Sequence, residues 1–158
     1  MRVSRWLSAA LFGGLLVLVA PAWASHYSLD RVAFVTTAER RALGRAGVLD
    51  TQVLLDWTAQ AERRAWLAEA THITVERLTV LAGRCDLLRV EGIGPTILDV
   101  LVKAGIDDSR ALARARAGAL AKALRAAARG TAMQHRLPVE ETLTTWILEA
   151  QLLRPVVE

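Results

Sequence analysis

The chain has 158 residues, 53% of them hydrophobic yet with only two Phe and one Tyr, and it carries 20 Lys and Arg against 16 Asp and Glu. Its heavy use of Ala, Leu and Arg favours helix over strand, and its length suits one domain with a real core or two small packed units. The lone Cys85 excludes an intramolecular disulfide.

At the amino terminus Arg2 and Arg5 precede an apolar run from Trp6 to Ala20, then Pro21, then Ala22-Trp23-Ala24. This order of basic, apolar and small-residue regions predicts a signal peptide over residues 1–24, cleaved between Ala24 and Ser25, and export to a bacterial periplasm. The apolar run is shorter than the ~20 residues of a membrane span; retention as an anchor is the alternative. Cleavage would remove two bases and no acid, leaving 18 bases against 16 acids, a mild bias despite a pI near 10.2.

In the mature chain, 25–158, a first unit covers Leu29 to Val35. A short helix follows from Thr37 to Ala46, with Thr37 as its expected N-cap and Gly47 as its C-cap. Asp50 or Thr51 caps the next helix, whose apolar face holds Val53, Leu54, Trp57 and Ala61. Glu62 to Ala70 continues or restarts it with Trp66, and Thr71 to Thr74 breaks the pattern. Val75, Leu78, Leu81 and Ala82 then resume 3,4 spacing as far as Leu88. Cys85 falls within that pattern and reads as a small buried hydrophobe.

Val90-Glu91-Gly92-Ile93-Gly94-Pro95 reads as a tight hairpin, with Pro95 at the first position of a helix that ends at Gly105. Asp108 or Ser109 caps the alanine-rich segment to Arg129, with Gly118 as a candidate break. A loop covers Gly130 to Leu137. Pro138 opens the last helix, which buries Leu143, Trp146, Ile147 and Ala150 and ends before Pro155.

The two stretches 32–48 and 90–106 align at an offset of 58 residues, bringing Val32 to Val90, Val35 to Ile93, Leu43 to Leu101 and Gly47 to Gly105. At an offset of 65, Leu78, Leu81, Leu87 and Leu88 meet Leu143, Trp146, Leu152 and Leu153. The chain reads as a duplicated unit of about sixty residues, with repeat one near 28–89 and repeat two near 90–154. Phe34 and Thr36 stand in the first copy where Gly92 and Gly94 stand in the second.

The Gly92-Ile93-Gly94 turn resembles the helix-hairpin-helix superfamily. The chain from 28 to 154, with its Val90–Pro95 hairpin, Lys103-Ala104-Gly105-Ile106 helix end and closing Trp146-Ile147 helix, is similar to a bacterial family of tandem helix-hairpin-helix domains of unknown function. The resemblance implies an all-α fold of two tandem helix-hairpin-helix-like repeats packed as one compact helical domain. It also implies that amides of Gly92, Ile93 and Gly94, followed by Thr96, hold a nucleic-acid phosphate, with Lys103 as the nearest base along the helix. Helix N-termini and glycine turns present unpaired N–H donors suited to anions. Members that bind DNA place Lys or Arg just after the second glycine and proline; Thr96 and Ile97 stand there instead, and Glu91 adds a negative charge.

From Arg110 to Arg136 there are seven bases and no acid, and Arg110, Arg114, Lys122, Arg125 and Arg129 are candidates for a basic ridge with salt-sensitive affinity for a polyanion. Trp57, Trp66 and Trp146 read as core. His26, His72 and His135 are isolated, so neither a metal site nor a cofactor is expected, and no catalytic trio is apparent. The expectation is a non-catalytic, exported module that contacts a macromolecule, protein or DNA. The alternative is a small ligand or a reaction in a cleft between the repeats.

Overall fold

The structure is a computed structural model and describes residues 26–157, so the expected signal peptide and its cleavage point lie outside the described residues. Its regular elements are α1 (Thr37–Arg45), α2 (Thr51–Thr58), α3 (Ala61–Thr71), α4 (Val75–Leu87), α5 (Pro95–Lys103), α6 (Ser109–Ala113), α7 (Ala117–Ala127) and α8 (Glu140–Leu152). Single 3-10 turns cover Leu29–Arg31 and Ala132–His135. Among the described residues there is no strand, and the fold is all-α and compact.

Helices α1 and α5 end on the same set of bonds. Gly47 and Gly105 adopt φ of +80° and +87°, a left-handed conformation in which a Cβ is strained. The amide beyond each glycine folds back to a carbonyl five residues earlier, Val48 N–H to Leu43 O at 3.0 Å and Ile106 N–H to Leu101 O at 2.9 Å. This is a Schellman closure. The next helices start alike: Asp50 accepts from the amides of Gln52 and Val53 at 2.9 and 2.8 Å, and Asp108 from that of Ala111 at 2.6 Å.

Helix α2 packs on α4 and α6 on α8; α3 and α7 pack on those same two long helices, and contacts of α4 with α6 tie the halves together. The buried leucines form one cluster, in which Leu43, Leu54, Leu78 and Leu81 join Leu98, Leu101, Leu112 and Leu143. Each such side chain contributes roughly 1.5–3 kcal/mol by leaving water. Cys85 is buried in this cluster. Asp86, also buried, crosses the junction: its carboxylate accepts from Arg89 Nη1 at 2.6 Å and from the Ser109 hydroxyl on α6. In front of α1, the segment at Ser28 pairs with Asp50, and the Tyr27 and Thr51 backbones bond at 2.9 Å.

Several expectations are corrected. The N-cap of α1 is Thr36 rather than Thr37, because the Thr36 hydroxyl and the Glu39 carboxylate cap each other's amides at 3.2 and 2.8 Å. The alanine-rich segment breaks at Arg114–Arg116 and not at Gly118. Arg116 is extended, with φ −110° and ψ 127°, whereas Gly118 stays helical and lets the Glu140 carboxylate come close. Pro138 precedes α8 by two residues, and extended Val139 makes the turn into it. Trp66 is no core residue: it is 53% exposed and stacks on Trp57 at a ring-centroid distance of 4.9 Å, while the Arg63 guanidinium lies 5.0 Å from the Trp57 ring centroid. Trp146 is buried as expected.

Candidate nucleic-acid interface

The hairpin before α5 is a tight turn closed by Ile93 N–H to Val90 O at 3.1 Å. Gly92 takes φ +85° at its third position, the geometry of a type II turn, and Trp146 lies close against it. Ile93 is buried beneath the turn and anchors it, while Gly92 is exposed. Extended Gly94 then starts α5 with Pro95 in its first turn and no side-chain cap. The amides of Thr96 and Ile97, which the first turn of any helix leaves without an internal acceptor, therefore have no capping side chain.

The turn before α1, which aligns with this hairpin at the offset of 58 residues, is closed by its own charges. Glu39 stands where α5 has Ile97, and its carboxylate takes the Thr36 amide. Arg77 of α4 reaches the same carboxylate through Nε at 2.6 Å and Nη2 at 3.1 Å, and donates to the Phe34 carbonyl at 2.6 Å. The Arg77 hydrogen bonds, with those from Thr36, hold Glu39 down at a pKa of about 2, against the opposing effect of burial. An internal carboxylate thus sits on the first hairpin where an external anion would need to bind. Sequence reasoning missed this pair, since Glu39 and Arg77 lie 38 residues apart; a Glu three residues after Thr36 was the local signal.

The second hairpin has a negative neighbour of its own. The Glu91 amide donates to Glu149 Oε1 of α8 at 2.8 Å, and the Glu91 side chain is exposed. Lys103 does not join the loop. It lies at the far end of α5, about 12 Å from Pro95 at 1.5 Å per residue, in a groove of about 290 Å³ with Ala33, Phe34, Arg84, Asp99 and Val102. Burial raises the Asp99 pKa there, with Lys103 and Arg84 pulling the other way.

The basic candidates divide. Lys122, Arg125 and Arg129 are exposed at 3,4 spacing on α7 and the turn just beyond it, and none takes part in an ion pair among the described residues. Arg114 is exposed at the end of α6, whereas Arg110 is engaged with the carbonyl of Val157 at 2.6 Å. Among the described residues no group of three or more His, Cys, Asp or Glu could hold a metal ion, and no helix is long and apolar enough to cross a membrane.

These features define an all-α protein of short helices, in which α5, like α3, α7 and α8, starts without a side-chain cap and α7 carries an exposed basic face. Residues 34–153 match the family described as domain of unknown function (DUF4332), and the chain belongs to that family. No curated protein matches the chain, and no solved structure does.

Proposed function

We propose that this chain is a non-catalytic, exported module of two helix-hairpin-helix repeats that contacts a macromolecule, with nucleic acid as the ligand its surface suits best. The observation that carries the reading is the face of Lys122, Arg125 and Arg129, exposed and without acidic partners. Three such cations would neutralise phosphates and release counterions. The open amides of Thr96 and Ile97 add a second anion contact, weakened by Glu91 and Glu149 beside it. The hairpin is then chiefly a packing device, and the ridge supplies most of the affinity.

Fluorescence polarisation of the mature protein with labelled duplex and single-stranded DNA tests this. Three phosphate contacts predict affinity falling ~40-fold between 50 and 200 mM salt. Lys122→Glu with Arg125→Glu should abolish binding, and Gly92→Glu with Gly94→Glu should weaken it less. No binding at low salt would sink the reading.

One observation favours a second reading, a small ligand or a reaction in a cleft between the repeats. The groove at Phe34, Arg84, Asp99 and Lys103 lies between the two hairpin units and combines an apolar floor, two cations and a raised carboxyl. A thermal-shift screen of small carboxylates and phosphates would support it through hits that Lys103→Ala removes. A screen without such hits would count against it.

A further inference from the structure

After α8 the chain does not leave the molecule. Leu153 is extended, with φ −62° and ψ 130°, and the tail turns back over the junction of α4 and α6. Two arginines hold its main chain: Arg89 Nη1 donates to the Arg154 carbonyl at 3.2 Å and Arg110 Nη2 to the Val157 carbonyl at 2.6 Å. Val156 and Val157 are half-buried and pack against the core, although no helix or strand contains them.

The fit is incomplete. A cavity of about 120 Å³ lies between Pro155–Val157 and Thr79, Gly83, Asp86, Asp108 and Arg110. A second space of about 430 Å³ opens beside Val156 at Asp56, Gln60 and Arg63. Guanidinium groups that bind the tail's backbone carbonyls, together with the contact of Val156 and Val157 with the core, hold this extended segment in place, and main-chain hydrogen bonds are what gives affinity for an extended peptide. Neither carbonyl contact depends on side-chain identity, so another extended segment can make both.

We propose that the groove between α4 and α6 is a receptor for an extended aliphatic peptide, read at its carbonyls by Arg89 and Arg110, and that residues 154–157 are its resident, exchangeable occupant. A tethered occupant competes at an effective concentration in the millimolar range. Binding in trans therefore emerges when the tail is released.

The test uses the full-length mature protein carrying Val156→Asp and Val157→Asp, which replaces the two aliphatic contacts with the core by charges beside Asp86 and Asp108. The probe is a fluorescein-labelled peptide of the natural tail, Leu-Arg-Pro-Val-Val-Glu, followed by anisotropy. Saturable micromolar binding is expected to the released variant, with at least tenfold weaker binding to the unmodified chain. Adding Arg110→Ala to the released variant should weaken it at least tenfold again.

Equal affinity with and without Arg110, equal affinity for a scrambled peptide, or no binding to a variant of normal helicity would overturn the proposal. Should the double variant misfold, unlabelled peptide at millimolar concentration is added to the ¹⁵N-labelled unmodified protein. Shifts of the Gly83 amide and the Arg110 side chain support the groove, and unchanged spectra overturn it.

Discussion

Gly92 and Phe34, which align at an offset of 58 residues, precede α5 and α1, and the chain turns at each by different means. Gly92 uses a left-handed backbone and a tight-turn bond; at Phe34 and Val35 the carbonyls are held by Arg77 and Arg40 at 2.6 and 3.2 Å. A methyl at Gly92 would lie 3.2 Å from the Trp146 indole nitrogen as well as straining φ. Gly92→Ala should therefore cost about 1–3 kcal/mol in urea unfolding. Gly94→Ala, at φ −98° and with ordinary contact to Tyr27, should cost less than about 0.5 kcal/mol. The Glu39 carboxyl titrates near 2 when folded, against an ordinary 4.5. A depressed carboxyl stabilises fully above its unfolded value, so this contribution is lost as pH falls from 4.5 towards 2. The pair is partly solvated, which limits its worth to about 1 kcal/mol. Glu39→Gln should flatten the stability profile across that window; an unchanged acid limb would refute the assignment.

At the scale of the element, most helices were legible because their ends are written in local chemistry. Asp50, Asp108, Gly47 and Gly105 each act within a few residues of their own position, and the apolar 3,4 spacing of α4 and α8 reports the faces those helices bury. The misreadings have a shared cause, tertiary context. Gly118 stays inside α7 although glycine is a weak helix former, and the break falls at Arg116, which has no local breaking signal. Trp66 follows the helical pattern of a core residue but lies exposed, stacked on Trp57, which is half-buried against the core. In the candidate site the Gly-Ile-Gly turn could be read directly, whereas Glu149, 58 residues from Glu91, could be found only by folding the chain. Because Asp50 caps two amides and Asp108 one, Asp50→Ala should cost about 1–2 kcal/mol and Asp108→Ala about 1 kcal/mol by chemical denaturation.

At the scale of the whole molecule, the contact of α4 with α6 joins the first part of the chain to the second. Leucines from both halves share one cluster, and Asp86 bonds α4 to α6 through Ser109 while Arg89 neutralises it. Arg89→Ala leaves a buried carboxylate with the hydroxyl alone and should cost about 2–3 kcal/mol. The loss should appear as a shift of a single transition, the same by circular dichroism and by tryptophan fluorescence. Two separated transitions would mean that the halves fold independently.

The shared core shelters Cys85 of α4, within electrostatic reach of Asp50 at the start of α2. Burial first, and then the charges of Asp86 and Asp50, push its thiol well above the ordinary range. Only the thiolate reacts with an alkylating reagent, so labelling must wait until α4 lifts from its neighbours. The unmodified chain thus carries a single-site stopwatch: the pace of alkylation counts how often the core around α4 opens, while the closed form shields the sulfur from oxidants and from cross-linking one copy to another.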